Sequence, residues 1–391
     1  MRIAAVAPYF PPDITGSAIF ADDLARGLSE NGHSVKVFTT LATTVRGRVY
    51  GSGIVEVPSV RLNLGEVSYS YRIPFITLRL GFMKLFREIK SFNPHVVHVH
   101  GHLFDICLSA ILVAKLLRVP VVLTIHSPFI HVNRITNGLL AIVDATVIAP
   151  ILRLVHRVVN VDRQTKRYLK VRHPKLNRIE IPVSAPSGKV LEGDRNLVYA
   201  KYPQISRQKK TILSLGHVIP MRNRKALIEA LPSVISVVPD IQVVIVGNLY
   251  DETVTHLVRE RGLEDKVIFT GAVSSSEVPN FLDLADIECH DLQGIGLGLT
   301  SLESMQARVP TVFWIPEDNW EEVSFDTLEL ARLRTSDPSE IAKEIIRLFC
   351  EEKHRNEVVA SQDALVNEFL SFDRITDKYE SLFEELTLSS R

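Results

Sequence analysis

The sequence predicts an α/β fold of two Rossmann-like domains, each built on a parallel sheet. Three observations carry this: a length of 391 residues, short β-branched runs recurring between amphipathic helical stretches, and a restart of that pattern past residue 210. Single cores seldom grow beyond about 250–300 residues before a chain splits. Strand and helix in alternation are the mark of βαβ units on a parallel sheet.

In the first half, Ile3–Ala7, Ser34–Thr39, Val96–His100, Val121–His126 and Arg157–Val161 read as strands, being short apolar runs bounded by turn residues. Ser17–Asn31 and Phe104–Arg118 read as helices between them. The second half supplies strands at Thr211–Gly216, Gln242–Val246, Val267–Thr270, Ile287–His290 and Thr311–Trp314, with helices near Arg224–Val238 and Thr300–Arg308. Pro182–Lys210 is rich in Pro, Ser, Gly and charge and lacks a clean period, so it reads as a connection. The expected division is a domain over 1–185, a linker over 186–210 and a domain over 211–371. The most apolar segment, Leu139–Leu154, is interrupted by Asp144, Pro150 and Arg153 and is short for a bilayer span, so a buried helix is expected.

An apolar fraction of 46% with 23% charged residues excludes a disordered, collagenous or disulfide-scaffold chain. Cys107, Cys289 and Cys350 have neither paired nor metal-ligand spacing. Met1 runs into a strand-like stretch without the features of a signal peptide, so a cytoplasmic setting is expected. The zero net charge conceals an asymmetry. Residues 1–185 hold 23 Lys and Arg against 11 Asp and Glu, leaving 22 against 34 in the remainder, hence +12 and −12. Two readings stay open: an anionic partner on the front half, or charge spread over a solvated surface.

Open α/β sheets bind ligands beyond the carboxyl ends of their strands. After the first strand, Gly16 precedes a helix whose free N–H groups and positive dipole end suit a phosphate. After Val121–Ile125, His126 can hydrogen-bond a sugar hydroxyl or move a proton, or serve as a structural histidine. His98, His100 and His102 read as structural, since no carboxylate or cysteine stands at metal-site spacing to them. In the second half, Gly216–Lys225 sets Arg222, Arg224 and Lys225 at a helix start, either a diphosphate seat or a solvated basic turn. Gly296-Leu297-Gly298-Leu299-Thr300-Ser301-Leu302-Glu303 joins a glycine turn, a helix start and a carboxylate suited to ribose hydroxyls. The absence of an Asp-x-Asp pair leaves charge neutralisation to helix N-termini and basic side chains, with no metal and no cofactor expected.

These pieces resemble glycosyltransferase family 4, the retaining enzymes of GT-B architecture, whose two parallel sheets face across a cleft. The landmarks run over nearly the whole chain: Met1-Arg2-Ile3 with Gly16, Gly32-His33-Ser34-Val35, Asn93-Pro94-His95-Val96-Val97-His98, Thr124-Ile125-His126, Val244-Ile245-Val246-Gly247 and Ala285-Asp286-Ile287. Phe372-Asp373-Arg374 through Phe383 resembles the family's terminal helix, which implies that 372–391 packs back on the N-terminal domain. The resemblance implies that Gly16 faces the donor diphosphate, His126 the donor sugar, Gly296 and Gly298 with Leu299 the phosphates, and Glu303 the ribose. It also places His217 and Arg222 where the family has a diphosphate-binding arginine and lysine. Ile295 stands where the family's first motif glutamate touches the sugar, leaving Asp291 or Gln293 to reach that space, and Arg308 replaces a glycine.

The implied activity is a retaining, metal-independent transfer from a nucleotide diphosphate sugar to a glycan, lipid or small-molecule hydroxyl. Two other classes remain: a sugar-nucleotide epimerase, and a catalytically silent nucleotide-binding subunit. No nucleic-acid partner is expected. The stretch 69–92 interleaves Arg72, Arg79, Lys84, Arg87 and Lys90 with aromatic and aliphatic residues, which fits contact with an anionic membrane or a helix buried against the sheet with a cationic outer face.

Overall fold

The computed structural model describes residues 1–11, 15–40, 53–63, 72–76, 80–131, 134–187, 192–294, 296–323, 329–330 and 332–389. The chain forms two compact units, one of Met1–Ser184 with Phe372–Arg391, the other of Ala185–Ser371.

The strands of the first unit are β1 (Arg2–Ala7), β2 (Ser34–Thr40), β3 (Ile54–Val57), β4 (Ser59–Asn63), β5 (Arg72–Ile76), β6 (Val96–His100), β7 (Val121–Ile125), β8 (Arg157–Asn160) and β9 (Arg178–Glu180). Seven of them make a parallel sheet in the order β3-β2-β1-β6-β7-β8-β9, and β4 and β5 form a separate antiparallel pair. Strand β7 is buried throughout because each face meets its own core. Val121, Leu123 and Ile125 join the cluster with the helix Asp105–Leu117, while Val122 joins that of the helices Gly16–Glu30 and Phe372–Ser389. This double cover is why the central strands are continuous apolar runs.

The helix Phe372–Ser389 therefore completes the first unit. It lays Ile375, Tyr379, Leu382 and Phe383 on the sheet. Polar contacts fix its register: the Tyr379 hydroxyl lies 2.9 Å from Thr124 Oγ1, and Arg157 Nη2 donates to Glu385 at 2.6 Å.

In the second unit β10 (Lys210–Leu215), β11 (Ile241–Val246), β12 (Val267–Gly271), β13 (Ile287–Cys289) and β14 (Thr311–Val312) form a parallel sheet in the order β12-β11-β10-β13-β14. The helices Arg224–Val237 and Pro338–Cys350 cover one face, adding Leu227, Leu231, Ile341 and Ile345 to its core.

Two expectations are corrected. Residues 186–210 belong to the second unit rather than to a separate linker. Their described part forms the helix Arg195–Lys201, held by burial of Val198 and by Arg195 on Asp283 at 3.0 Å, while 188–191 lie outside the described residues.

The helix expected to be buried at Leu139–Leu154 is instead largely exposed. It runs from Arg134 to Leu152 with a π turn at Asp144–Ile148, and no residue of Arg134–Val143 is buried. Asp144 anchors it. The Tyr168 hydroxyl donates to Asp144 Oδ2 at 3.0 Å, His173 Nε2 lies 3.0 Å from Oδ1, and His102 Nε2 is 3.0 Å from the Tyr168 hydroxyl. Burial pushes the Asp144 carboxyl up, but His173 and Tyr168 overcome this and hold it below its ordinary value.

Of the 69–92 stretch, 69–71 and 77–79 lie outside the described residues. Its helix Leu80–Phe92 buries Leu85 and Ile89 and packs Phe82, Phe86 and Phe92 on the core. The aromatic face that suggested membrane contact is thus used inside the unit, with Arg87 and Lys90 outside.

Candidate functional site

Chain order reverses beside β1 in the first unit and beside β10 in the second, the positions at which open α/β sheets bind ligands. In the second unit the loops after β10 and β13 converge there. Gly216 follows β10 with φ +121°, a conformation suited to glycine. A Cβ on it would lie 3.6 Å from both Arg224 Nη2 and Thr300 Oγ1 and 3.9 Å from His290 Nε2, so Gly216 is the floor of a polar recess. Next to it the β11 end approaches closely: a Cβ on Gly247 would collide with the Gly216 carbonyl.

The basic turn divides its labour. Arg224 is buried and holds backbone, donating to His290 O at 3.2 Å and Gly216 O at 3.1 Å. Burial lowers its pKa to about 10, against Asp291 and Glu288. Lys225 is exposed. Arg222 lies across the start of the helix Leu299–Gln306, its Nη2 at 3.0 Å from where a Gly298 Cβ would be, and its Nη1 pairs with Asp291. His217 is half-buried, accepts the Asn248 amide at Nδ1 at 3.1 Å, and has its pKa lowered by burial and then by Arg224.

Asp291, named as an alternative sugar contact, is turned into the protein. It is 2% exposed and fully engaged: Gly298 N donates to Oδ2 at 2.8 Å, Ser301 Oγ at 2.7 Å, and Arg222 pairs with Oδ1. Burial pushes this carboxyl up, yet Arg222, His290, Ser301 and Gly298 together hold it well below the usual carboxylate range. Gln293 is exposed on the same loop, and Ile295 lies outside the described residues. Gly296 has φ +148°, and Glu303 is partly exposed one turn into the helix. Arg308, just past that helix, adopts φ 59°, the left-handed conformation for which glycine is favoured.

One constellation was not singled out from the sequence. Glu288, fully buried, meets His290 Nδ1, and His290 Nε2 lies 3.0 Å from Thr300 Oγ1, whose hydroxyl borders the recess over Gly216. The available signal was the alternation Glu288-Cys289-His290, which puts acid and imidazole on one side of a strand.

In the first unit, Gly16 is exposed as the first residue of the helix Gly16–Glu30, which Thr15 caps by accepting the Ala18 amide at 3.1 Å. Residues 12–14 of the preceding turn lie outside the described residues. His126 follows β7, its ring stacked on His100 at 9° with Nε2 3.4 Å from His100 Nδ1, and Phe20 edge-on at 5.4 Å. Burial lowers its pKa to about 4, so the ring is neutral near pH 7. His98, His100 and His102 are buried, with His98 Nε2 2.8 Å from Thr124 Oγ1. The second unit therefore gathers His217, Arg222, Gly298 and Leu299 around one loop cluster. Gly16 and His126 stand on the first unit.

The model described as Glycosyltransferase Family 4 matches residues 14–181, and that described as Glycosyl transferases group 1 matches residues 199–361, one in each unit. An alpha-monoglucosyldiacylglycerol synthase of Streptococcus pneumoniae is 25% identical over 80% of this chain and 70% of its own length. An N-acetyl-alpha-D-glucosaminyl L-malate synthase of Bacillus anthracis is 23% identical over 96% of this chain and 95% of its own. Anabaena HepE, solved with UDP and glucose, superposes with a TM-score of 0.68 at 12% identity, covering 98% of this chain and 100% of HepE. With the two parallel-sheet units, these matches establish the GT-B fold and a glycosyltransferase, and the chain belongs to the family 4, group 1 glycosyltransferases.

Proposed function

We propose that this glycosyltransferase moves a sugar from a nucleoside diphosphate sugar to an acceptor hydroxyl with retention of configuration, without a metal or other cofactor. The observation that carries this is the recess over Gly216, bordered by Thr300 and Arg224, with Arg222 laid across Gly298 at the helix start. A diphosphate there meets a cation, a hydroxyl and a helix N-terminus, and glycines let its oxygens approach the backbone. The charge that develops on the departing phosphate is what such preorganised donors stabilise. Glu288 and His290 orient Thr300, a positioning role. Release of free nucleotide from a panel of nucleotide sugars tests the proposal, and a protein that binds nucleotide yet releases none would overturn it in favour of a silent subunit.

Glu303 supplies the ribose contact, one turn beyond Gly298 and Leu299. Glu303→Ala is expected to weaken nucleotide binding by about 1–3 kcal/mol. Unchanged affinity by calorimetry removes the assignment.

The family resemblance gives His126 a sugar contact, and its lowered pKa keeps the ring a neutral hydrogen-bonding group. His126→Ala is expected to reduce turnover about 100-fold while leaving nucleotide affinity nearly unchanged. Turnover equal to the parent's returns His126 to a structural role. The family resemblance adds Gly16 and His217 to the donor contacts. An isoleucine where the family's first motif glutamate stands cannot accept a sugar hydroxyl, and Asp291 is buried, which favours a donor with a less polar face or one held by Gln293.

A further inference from the structure

The helix Arg134–Leu152 is docked by Asp144, Ile148 and Leu152 and shows several large apolar side chains to solvent. Ile135, Leu139 and Ile142 are 78%, 60% and 60% exposed, and Val143 and Val147 are exposed beside them. Spacings of four and three residues set the first three on one face. Single exposed leucines are ordinary, but a strip of five large apolar side chains along one helix needs an occupant.

The cause lies in Asp144. Its contacts with Tyr168 and His173 point its side of the helix inward, together with Ile148 and Leu152, and this turns the opposite face out. By length and composition the helix could cross a bilayer, but this anchoring docks it on the unit.

The surroundings select the occupant. From residue 106 to 179 the chain carries twelve Lys and Arg against two acidic residues, Asp144 and Asp162. Asp144 is buried and Asp162 caps the helix Arg163–Arg172, accepting from Thr165. Arg134, Arg153, Arg167, Lys170 and Lys175 are exposed. An acidic protein or a nucleic acid would satisfy these cations and leave the apolar strip in water. An anionic bilayer satisfies both, with headgroups for the cations and acyl chains for the strip.

We infer that the helix Arg134–Leu152 seats this enzyme on an anionic membrane, lying in the interface with Ile135, Leu139 and Ile142 in the acyl layer. The inference is independent of the donor assignment. It assigns membrane contact to this helix and not to Leu80–Phe92, whose aromatic residues pack inside the unit.

Co-sedimentation of the full chain with vesicles of phosphatidylglycerol and phosphatidylcholine in equal parts, or of phosphatidylcholine alone, tests it. The parent is expected to bind the mixed vesicles, more weakly in high salt. The triple variant Ile135→Ser, Leu139→Ser, Ile142→Ser is expected to partition about 100-fold less, with nucleotide affinity kept. The double variant Leu80→Ser, Met83→Ser, altering the exposed residues of the other helix, is expected to bind like the parent. Should the triple variant fold poorly, Ile135→Trp reports instead, its added emission shifting to the blue on mixed vesicles. No vesicle binding by the parent, equal binding by the triple variant, or no blue shift would overturn the inference. A parent dimer that the triple variant dissolves, without vesicle binding, would assign the strip to a second copy and overturn it too.

Discussion

Acidification from about pH 7 to pH 5 is expected to destabilise the first unit by about 6 kcal/mol. Burial lowers the pKa of His98 and His102 to about 3 and of His126 to about 4, and that of His100 well below its ordinary value of 6.5. Neighbouring histidines add to the effect at His98 and His100, while Asp144 opposes it at His102. The sign follows from proton uptake. Above 6.5 both folded and unfolded chains hold these rings neutral, so stability is fully present. Below 6.5 the unfolded chain takes protons that the folded one refuses, and stability falls until the folded pKa values are reached. Each ring contributes about 1.4 kcal/mol per pH unit, so three approach about 4 kcal/mol per unit. A domain stability of about 5–15 kcal/mol is exhausted within a few units. Both tryptophans, Trp314 and Trp320, lie in the second unit and report on it separately. Amide exchange in β6 and β7 is expected to accelerate steeply below pH 6.5 before the tryptophan emission changes. Protection in those strands that is level between about pH 7 and pH 5 defeats the prediction.

Asp291→Ala is expected to destabilise the second unit by about 3 kcal/mol without weakening diphosphate binding in proportion. The buried carboxylate holds the Gly298 amide, the Ser301 hydroxyl and Arg222 together. Its removal strands two donors and leaves Arg222 without its counter-charge. Breaking a buried pair from one side is costly for that reason, although the partial exposure of Arg222 moderates the effect. The same change frees the guanidinium for a ligand, so fold stability and affinity for the anion should diverge. Thermal melting followed by tryptophan emission, with calorimetry of nucleoside diphosphate binding, measures both. A melting temperature equal to the parent's would mean that Asp291 is not the anchor of the helix start.

Much of the fold was legible because the central strands are apolar on both faces. Val121–Ile125 and Val96–His100 could be placed within a residue for that reason. The edge strand Arg178–Glu180 could not, since Arg178 and Ile179 are exposed and the segment carries no apolar period. The helix Arg134–Leu152 was misassigned for a different cause: hydrophobic spacing reports an apolar face and is silent about whether protein covers it. At the candidate site, Arg222, Gly296, Gly298 and Glu303 stood out because glycines, cations and helix starts are local signals. The capture of Asp291 by Gly298 and Ser301 was invisible, since it depends on the loop after β13 folding back seven and ten residues on. The chain Glu288–His290–Thr300 was hidden likewise, its last member lying on the following helix.

The placement of Phe372–Ser389 on the first sheet has a consequence in time. The second unit begins and ends at one spot, where the Ala185 amide donates to the Leu370 carbonyl at 2.8 Å, so it is an insertion within the first. At roughly 5–20 residues per second on the ribosome, Ala185–Ser371 takes about 10–40 s to synthesise. Throughout that interval the nascent first unit has its sheet built but Thr124, His98 and the apolar residues around them still lack Tyr379 and Phe383. The half made first is thus the half finished last, and its uncovered face is the surface a chaperone would meet on the emerging chain.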